Sequence, residues 1–313
     1  MAKILITGGM GFIGSHIADL ALSQGYEVLL LDNGSTGRQA NIIPALSKGA
    51  KLIPGDILDR EFLVDACQGV QSVFHLAARI SVAESMEKPV DYIRTNAEGS
   101  INILEACRQR GVKNIVLSSS AAIYGDDPVV PKIESMMPEP KSPYAITKLD
   151  GEYYFKMYRQ EHGINAIALR YFNVFGERQD PKSAYAAAVP IFIHKALKGE
   201  DISIFGDGTQ TRDFIYVRDI AAANLLAAEK GANINSGHVF NVCWGSKISI
   251  NNLAQTIIDI TGSRSKIIHL AERPGDIKHS MGSNQKIIQE LGFSASSNLQ
   301  QGLERTIAYF QST

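Results

Sequence analysis

The chain has 313 residues, of which 45% are hydrophobic and 20% charged, and its net charge is -1. These values are ordinary for a globular protein, and the interspersed 31 basic and 32 acidic residues argue against binding to nucleic acid or to an anionic membrane surface. A chain of this length is long enough for a large core and for two lobes.

The cysteines and the amino terminus indicate the compartment. Cys67, Cys107 and Cys243 are far apart and outside any Cys-x-x-Cys pattern, so neither a disulfide framework nor a metal site is predicted. The apolar run from Met1 to Thr7 is too short for a signal peptide and is typical of a first strand. No later stretch approaches the roughly eighteen apolar residues of a membrane span. A soluble cytoplasmic protein is predicted.

Strand-like runs recur through the first half of the chain, and helix-length amphipathic segments separate most of them. Their apolar residues are continuous rather than alternating, which predicts a parallel sheet that is covered on both faces. The predicted fold class is therefore α/β, a Rossmann-type doubly wound parallel sheet with a smaller C-terminal lobe. The predicted strands are Lys3 to Thr7, Tyr26 to Asp32, Lys51 to Pro54, Ser72 to Leu76, Asn114 to Ser118 and Asn165 to Tyr171.

Glycines follow the first strand directly, in the run Gly8-Gly9-Met10-Gly11-Phe12-Ile13-Gly14, and a helical pattern continues to Ser23. Glycine lets the backbone approach a pyrophosphate, whose charge is favoured at a helix N-terminus. The spacing of Gly8, Gly11 and Gly14 is wider than the plain dinucleotide fingerprint, and a glycine cluster can also be just a tight turn. The position between a strand and a helix, with Asp32 ending the next strand, favours a dinucleotide site.

Acidic residues end the second and third strands. The Asp32 carboxylate can accept hydrogen bonds from ribose hydroxyls and would repel a 2'-phosphate, which favours NAD over NADP. Arg38 is close enough in sequence to weaken that preference. Asp56, followed by Ile57, either meets the adenine amino group or caps its own loop.

The fourth and fifth strands end at the same edge of the sheet, where ligands of open sheets collect. After His75 come Leu76, Ala77 and Ala78, whose small alanines would admit a cofactor. His75 itself is interpreted as a hydrogen-bonded core histidine, because no second metal ligand is spaced near it. The run Ser118-Ser119-Ser120 offers three hydroxyls to a substrate, although a serine-rich strand exit is the alternative.

A further helix is predicted from Ser142, a good N-cap, followed by Pro143 at the first helical position. Tyr144 and Lys148 lie four residues apart and therefore share one helix face. A neighbouring cation favours phenolate, so the pair can transfer a proton near neutral pH. The spacing alone is also compatible with a half-buried tyrosine and a solvated lysine.

Taken together, these motifs resemble the extended short-chain dehydrogenase/reductase family. Within it the chain is most similar to nucleotide-sugar epimerases, because the likeness continues through Arg170 to Gly176, Gly206-Asp207-Gly208, Arg212-Asp213-Phe214 and Arg273 to Asp276. The resemblance implies that Tyr144 is the acid/base, that Lys148 orients the nicotinamide ribose and lowers the pKa of Tyr144, and that Ser120, or alternatively Ser119, bonds the sugar hydroxyl.

The resemblance also implies an NAD site and a dimer. The predicted cofactor-binding residues are Gly8, Gly11, Phe12, Ile13, Gly14, Asp32, Asn33, Ser35, Thr36, Gly37, Asp56, Ile57, Leu76, Ala77, Ala78, Thr95, Ser118, Tyr144, Lys148 and Phe172. In the family, two long helices of each chain pair to form a homodimer interface. Here these helices correspond to Pro89 to Arg110 and Pro143 to Glu161. Burial in the core explains the apolar stripes of these helices equally well.

Regular alternation lapses after Phe175, where a smaller lobe is predicted to begin. The predicted domains are residues 1–172, which bind NAD and receive part of 214–242, and residues 173–313, which mainly bind a UDP-sugar. By the resemblance, two guanidiniums and an amide hold the diphosphate, and the turn at Gly206 presents main chain to uracil. The predicted substrate-binding residues are Ser81, Ser120, Tyr144, Asn173, Ala187, Ala188, Val189, Ile204, Phe205, Gly206, Arg212, Arg273, Asp276 and Ser280.

Ser280 occupies the position where epimerases confined to glucose and galactose resemble one another in carrying tyrosine. Serine opens space for an N-acetyl group on C2, and Ala186 to Ala188 would keep the opposite wall small. The segment Arg178 to Pro181 also looks like that of hexosamine epimerases. We therefore expect that UDP-N-acetylglucosamine is accepted, with UDP-glucose as a further substrate.

The implied reaction is reversible inversion at C4 through a 4-keto sugar, with NAD kept bound. The related 4,6-dehydratases carry an Asp-Glu pair where this chain has Ser119 and Ser120, so elimination of water lacks its acid and base. A UDP-glucuronate or UDP-N-acetylglucosaminuronate epimerase or decarboxylase stays open. A non-catalytic NAD-binding redox sensor is disfavoured, because such proteins typically lose the Tyr-Lys pair that Tyr144 and Lys148 form here.

Overall fold

The computed structural model describes residues 1–181, 187–234, 237–272 and 278–312, and contains thirteen β-strands within these ranges. The strands are β1 Lys3–Thr7, β2 Glu27–Asp32, β3 Lys51–Pro54, β4 Ser72–His75, β5 Asn114–Ser120, β6 Asn165–Tyr171, β7 Asn173–Phe175, β8 Ile202–Phe205, β9 Thr211–Arg212, β10 Phe214–Tyr216, β11 Val239–Val242, β12 Ile248–Ser249 and β13 Ile267–Leu270.

The same residues form twelve α-helices, and short 3-10 turns lie between some of them. The helices are α1 Phe12–Ser23, α2 Ile43–Ser47, α3 Arg60–Ala66, α4 Val82–Glu87, α5 Pro89–Tyr92, α6 Gly99–Arg110, α7 Pro143–His162, α8 Ala188–Lys198, α9 Val217–Lys230, α10 Ile250–Thr261, α11 Gln285–Leu291 and α12 Leu299–Ser312. A π-helical segment, Ile93–Glu98, joins α5 to α6.

Seven parallel strands form the central sheet in the order β11-β6-β5-β4-β1-β2-β3. This is the predicted Rossmann-type doubly wound sheet, and all six predicted strands are present in it. The seventh strand, β11, was missed. It lies after Phe175, where the regular alternation of strands and helices lapses, and its pairing with β6 makes it part of the sheet.

Both faces of the sheet are buried, which explains the continuous apolar strands. Along β1, Ile4 and Ile6 belong to the core cluster on one face, whereas Leu5 belongs to the cluster on the other. Successive side chains of a strand point to opposite faces, so a sheet covered on both sides needs apolar residues at every position. The carboxyl ends of β1 to β6 are thereby aligned at one edge.

The second half of the chain contributes both a smaller core and parts of the sheet. Helices α8, α10 and α12 enclose buried side chains that include Phe175, Val189 and Leu253. Three two-stranded sheets, β10-β7, β12-β9 and β13-β8, border this core. Strand β11 joins the central sheet and α9 packs against α1, so residues after 214 return to the first lobe. The division into domains at residue 172 stays a prediction.

The helix that carries Tyr144 begins and ends as predicted. The Ser142 hydroxyl accepts a hydrogen bond from the Ala145 amide at 3.2 Å, and Pro143 occupies the first turn. Gly163, with φ 65°, ends the helix in the left-handed conformation. Among the described residues, no helix is both long enough and apolar enough to cross a membrane.

Candidate active site

The glycine loop between β1 and α1 is shaped to leave backbone close to a ligand. Gly8 has φ 69°, and a Cβ on Gly14 would lie 2.4 Å from the Gly8 carbonyl oxygen. Gly11 is the N-cap of α1 and provides no side-chain cap, so amides of the first turn are left for another acceptor. Phe12 and Ile13 follow within that turn. This loop fits the pyrophosphate of a dinucleotide.

Asp32 lies beside the loop, at the end of β2, and is almost completely buried. Its carboxylate accepts hydrogen bonds from the Met10 and Gly34 amides, both at 2.9 Å. A Cβ on Gly37 would approach both carboxylate oxygens at 2.9 Å, so only glycine fits there. The remaining lone pairs of Asp32 can accept ribose hydroxyls. The neighbouring residues Asn33, Ser35 and Thr36 are exposed, as contacts to a ligand require.

The sequence left open whether Asp56 caps its own loop and whether Arg38 is available to a 2'-phosphate. The contacts of both side chains bear on these questions. Asp56 accepts the Leu58 amide at 2.9 Å, which caps its own loop, and its second oxygen accepts the Asn33 side-chain amide at 2.9 Å. The loop-cap interpretation is therefore supported, and Ile57 beside it is buried. The Arg38 guanidinium forms an ion pair with Asp180, so its charge is already engaged.

His75 is a hydrogen-bonded core residue, as predicted. Its Nδ1 lies 2.8 Å from the Thr7 hydroxyl and its Nε2 lies 3.1 Å from the Ser100 hydroxyl. Burial, reinforced by the nearby charge of Lys148, lowers the pKa of His75 to about 3. Leu76, Ala77 and Ala78 follow it and are partly exposed at the same sheet edge.

Tyr144, Lys148 and Ser120 meet at the carboxyl end of β5. The Lys148 ammonium donates to the Ser118 carbonyl at 2.7 Å and lies 5.8 Å from the centroid of the Tyr144 ring. Ser120 hydrogen-bonds the Tyr144 phenol and accepts the Ala122 amide at 3.1 Å. A phenol, a hydroxyl and an amine therefore converge at the edge of the sheet where the glycine loop also lies. This arrangement can exchange a proton with a carbinol.

The electrostatics of this group differ from the expectation. Burial raises the pKa of the Tyr144 phenol, and the hydrogen bond with Ser120 lowers it only in part. Burial also lowers the pKa of Lys148 to about 8. The predicted lowering of the Tyr144 pKa by Lys148 is therefore not seen in the polypeptide alone, because desolvation outweighs a cation at this distance.

Ser119 is directed away from Ser120, into a buried network. Its hydroxyl donates to Glu152 at 2.5 Å, and Glu152 forms a two-pronged ion pair with Arg170 at 2.9 and 2.7 Å. Arg170 donates in turn to the Tyr124 phenol at 2.8 Å. The geometry thus favours Ser120 over Ser119 as the group facing a sugar. Sequence reasoning missed Glu152, whose only signal is its place eight residues after Tyr144 on the same helix.

A second residue missed from the sequence is Asn96, in the π-helical segment. Its side chain accepts the Arg79 amide at 2.8 Å and donates to the Arg79 carbonyl and to the Thr147 hydroxyl, both at 3.0 Å. It therefore fixes the loop after β4 against the helix that carries Tyr144. Thr95, a predicted cofactor contact, is its partly exposed neighbour.

The predicted substrate residues come from separate small elements. Asn173 is exposed at the start of β7, and its amide donates to the Asp213 carbonyl at 3.1 Å. Arg212, in β9, is partly exposed, and the amide of Ser280 donates to the Thr211 carbonyl at 3.1 Å. Backbone hydrogen bonds therefore place Ser280 alongside the strand of Arg212.

Several predicted contacts are restricted by burial. The side chains of Val189 and Ile204 are in the core of the smaller lobe, so these residues can offer only main chain, which corrects any expectation of side-chain contact. Ser81 accepts the Glu84 amide at 3.0 Å as the cap of α4, and Phe172 packs against Tyr124 in a small buried cluster. Each of these side chains already has a structural partner.

The remaining substrate positions vary in accessibility. Ala187 is exposed and Ala188 is partly exposed at the start of α8, and Phe205 and Gly206 lie partly exposed at the end of the short strand β8. Arg273 and Asp276, together with Ala186, lie outside the residues that the structure describes.

Comparison with known families and proteins gives consistent results. Residues 4–243 match the family described as NAD dependent epimerase/dehydratase. A UDP-glucose 4-epimerase from Mycolicibacterium smegmatis is 34% identical over 312 residues, covering 99% of this chain and 98% of the relative. A UDP-N-acetyl-alpha-D-glucosaminuronate decarboxylase from Bacillus cytotoxicus is 32% identical over 323 residues, with the same two coverages of 99% and 98%.

Solved structures align over nearly the whole chain. A UDP-N-acetylglucosamine 4-epimerase from Methanobrevibacter ruminantium in complex with UDP-N-acetylmuramic acid has a TM-score of 0.94 and 39% identity, covering 99% of this chain and 98% of that one. A UDP-glucose 4-epimerase from Thermotoga maritima with UDP-glucose has a TM-score of 0.93 and 38% identity, covering 99% of both chains.

Proposed function

The chain belongs to the NAD-dependent epimerase/dehydratase family, and from this premise we propose that it inverts C4 of a UDP-sugar reversibly. The observation that carries the proposal is the convergence of Tyr144, Ser120 and Lys148 at the same sheet edge as the glycine loop. Solved 4-epimerases with 39% and 38% identity over nearly the full chain support it.

NAD fits the residues at the first lobe. The glycine loop leaves room and amides for the pyrophosphate, and the Asp32 carboxylate would accept hydrogen bonds from a ribose. The Arg38 guanidinium is paired with Asp180 and is therefore less available to bind a 2'-phosphate. This supports NAD over NADP as the cofactor. When bound, NAD+ supplies a hydride acceptor and donor and a positive charge.

The protein side chains would transfer the proton at C4 and bind the diphosphate of the substrate. Tyr144, as phenolate, would remove the C4 hydroxyl proton and later return it, because it is the acid/base group at the sheet edge. Ser120 would hold the same oxygen, which is a carbonyl in the 4-keto sugar. Arg212 would bind the diphosphate while the sugar turns over, since guanidinium offers paired donors to phosphate. A firmly held diphosphate and a loosely held ring permit return of the hydride to the other face.

For the sugar, we propose that UDP-N-acetylglucosamine is a substrate alongside UDP-glucose. Ser280 is a small, partly exposed side chain that backbone hydrogen bonding places beside Arg212, so the wall near the sugar has room for an N-acetyl group. The relatives include epimerases named for each of these two sugars, which supports a site that takes both.

A decarboxylase is the second candidate, because a relative with that name covers the full chain. Oxidation at C4 of a UDP-glucuronic acid gives a β-keto acid, which can lose carbon dioxide with the same acid/base pair. The two activities would therefore share Tyr144 and Ser120 and differ only in the C6 substituent. Their products distinguish them.

We also infer a homodimer. Large apolar side chains are exposed on the two stretches that the family resemblance assigns to the interface, Pro89 to Arg110 and Pro143 to Glu161, and on residues 80–87 just before the first of them. They include Ile80, Met86, Val90, Ile93, Ile146 and Tyr153, each between 53% and 73% exposed. A patch of this kind is typical of a protein interface. Light scattering that gives the mass of one chain would contradict the inference.

The test is a panel of UDP-sugars analysed by NMR. UDP-N-acetylglucosamine and UDP-N-acetylgalactosamine are expected to reach the same mixture from either side, and Ser280→Tyr is expected to impair these two more than UDP-glucose. Turnover of UDP-glucose alone would contradict the substrate proposal. Release of carbon dioxide from a UDP-uronate would establish the decarboxylase, and unchanged substrate throughout would indicate a non-catalytic NAD-binding protein.

A further inference from the structure

Asp213 is a fully buried carboxylate that three backbone amides approach. It lies between β9 and β10 and is 0% exposed. One oxygen accepts the Trp244 amide at 3.0 Å, and the other accepts the Gly245 amide at 3.1 Å and the Gly282 amide at 3.2 Å. The Cys243 thiol is a further hydrogen-bond partner. No salt bridge to Asp213 occurs within the described ranges of the chain.

These donors join three segments that are far apart in sequence. Asp213 follows Arg212 directly, and its carbonyl accepts the Asn173 amide at 3.1 Å. The turn 243–245 follows β11 of the central sheet, and residues 278–283, here called the 278–283 segment, carry Ser280. Two of the proposed substrate residues, Asn173 and Arg212, are thus attached directly to this aspartate, and its carboxylate bonds the segment of the third, Ser280, at Gly282.

The 278–283 segment is also attached by hydrogen bonds to β9 and to Lys132. The Ser280 amide donates to the Thr211 carbonyl at 3.1 Å, and the Ser283 amide donates to the Lys132 carbonyl at 2.9 Å. The Thr211 amide donates to the Lys278 carbonyl at 2.9 Å, and the amide of Lys132 donates to the Met281 carbonyl at 2.8 Å. A Cβ on Gly282 would lie 2.5 Å from the Phe172 ring and 2.8 Å from the Cys243 sulfur, so the Gly282 amide is held close to the main sheet. The carboxylate of Asp213 therefore bonds the segment at its tightest point of contact.

A carboxylate is an unfavourable choice for a purely structural tie at this place. Burial raises the pKa of Asp213 to about 6, which shows that desolvation of the charged form outweighs its hydrogen bonds. An uncharged side chain would avoid this cost of burial. The advantage of the ionised form is that it has only acceptors, so it can bind amides from two segments at once.

Resting on the proposed UDP-sugar activity, we propose that Asp213 is a positioning residue, which locks the 278–283 segment and the turn 243–245 against β9 and thereby sets Arg212 and Ser280 at the spacing that binds the substrate. Asp213 is sealed from solvent and would not contact the sugar itself. Its effect should therefore fall on substrate affinity and not on the proton-transfer step.

The first test is Asp213→Asn, with KM for UDP-N-acetylglucosamine and kcat measured separately, and with the Kd of UDP measured by calorimetry. The amide would turn a donor toward backbone amides that are themselves donors, so at least one hydrogen bond to the segment is lost. Loss of a hydrogen bond to a charged group corresponds to a rise of about tenfold in KM and Kd, with kcat changed less than about twofold. The NAD content should equal that of the wild type.

The matched control is Asp219→Asn. Asp219 is also buried, at 2% exposure, and one of its oxygens accepts the Ser296 amide and hydroxyl, both at 2.7 Å, away from the three segments. This variant should lose thermal stability but keep KM and the UDP affinity. Equal changes of KM in the two variants, or a fall in kcat with KM unchanged in Asp213→Asn, would overturn the proposal.

The dependence of the wild-type KM on pH tests the positioning role of Asp213 even if Asp213→Asn fails to fold. KM should rise as the pH falls through about 6, because the protonated carboxyl gives up one acceptor position. The titratable and charged groups on the packed segments are Cys243, Arg212, Lys278 and His279, and a His279→Gln variant removes the imidazole as a source of the break. A KM that stays constant between about pH 5 and pH 7 would refute the role of Asp213.

The experiments distinguish failure of the proposed UDP-sugar activity from failure of the positioning role of Asp213. A wild-type protein that binds UDP but turns over no UDP-sugar would refute the activity, and the comparison of UDP affinity between Asp213→Asn and Asp219→Asn would still test the positioning role. Normal turnover with the same UDP affinity in all three proteins would refute the positioning role alone.

Discussion

The two sides of the site are assembled in different ways. The cofactor side comes from consecutive strand–loop–helix units in the first 148 residues, and each group there is fixed by its own turn or helix, as with the glycine loop and the Tyr144 helix. The substrate side comes from short strands and an extended segment that are separated by up to a hundred residues. There the groups are fixed by a few contacts between distant segments, including those of Asp213.

This difference has a consequence for function. Changes on the cofactor side should affect the chemistry with every UDP-sugar, because the same proton and hydride steps serve them all. Changes on the substrate side should alter affinity or selectivity and leave the chemistry intact. The contrast follows from where the groups are anchored, and each of the five substitutions below tests one part of it.

The largest effect is expected for Tyr144→Phe. Removal of the acid/base hydroxyl should lower kcat about a thousandfold for every UDP-sugar, with NAD still bound. Tyr26→Phe is the control, since its phenol forms a surface hydrogen bond with Glu229 far from the site. Stopped-flow or steady-state kinetics measure kcat for each UDP-sugar. A residual rate that is high for one sugar and low for another would break the expected uniformity.

The next effect is expected for Gly14→Ala, on the cofactor side alone. The new Cβ would lie 2.4 Å from the Gly8 carbonyl oxygen and would push the loop out of place. NAD affinity should fall about tenfold or more, as measured by fluorescence titration.

Gly25→Ala is the matched control for Gly14→Ala. Gly25 has φ 82° but open space around its Cα, so alanine there strains the backbone without touching the loop. It should lower the melting temperature and leave the affinity for NAD intact. Similar losses of affinity in both variants would show that general instability, and not the loop, is responsible.

Arg212→Met is expected to act on the substrate side only. Loss of a charged donor to the diphosphate should raise KM about tenfold for all UDP-sugars while kcat changes little. Arg264→Met, at an exposed position of the smaller lobe, serves as the control. A kcat reduced in proportion to the rise in KM would mean that Arg212 takes part in the chemical step.

The smallest effect separates two adjacent serines. Ser119→Ala removes a hydrogen bond to buried Glu152 and should reduce the free energy of unfolding by about 1 to 2 kcal/mol without a change in rate. Ser120→Ala should lower kcat about tenfold with little loss of stability. Thermal denaturation measures the stability of both variants, and steady-state kinetics measures their kcat. A loss of rate in Ser119→Ala and a loss of stability in Ser120→Ala would mean that Ser119 faces the sugar.

Much of the cofactor side could be predicted from the sequence because its rules are local. Glycine between a strand and a helix, Ser142 and Pro143 at a helix start, and two residues four positions apart on one helix each follow from short stretches of chain. The six predicted strands were found for the same reason, since each shows a short apolar run, and all except the partly exposed edge strand β3 are buried on both faces.

The predictions that failed or stayed open needed partners from elsewhere in the chain. Strand β11 lies outside the regular alternation of the first half of the chain, and its pairing with β6 identifies it as a strand of the sheet. The second oxygen of Asp56 accepts a hydrogen bond from the distant Asn33, and the inward orientation of Ser119 depends on Glu152. The pKa of Tyr144 depends on burial, which helix spacing does not report.

The sequence by itself determined the class of fold, the cofactor loop and the Tyr144–Lys148 pair, because hydrophobic periodicity, turn chemistry and helix spacing act over a few residues. Only the tertiary structure decided which serine faces the site, how charges are desolvated, and that Asp213 joins the segments of Arg212 and Ser280. Hydrogen bonding and desolvation depend on which distant groups pack together, and that information exists only after the chain has folded.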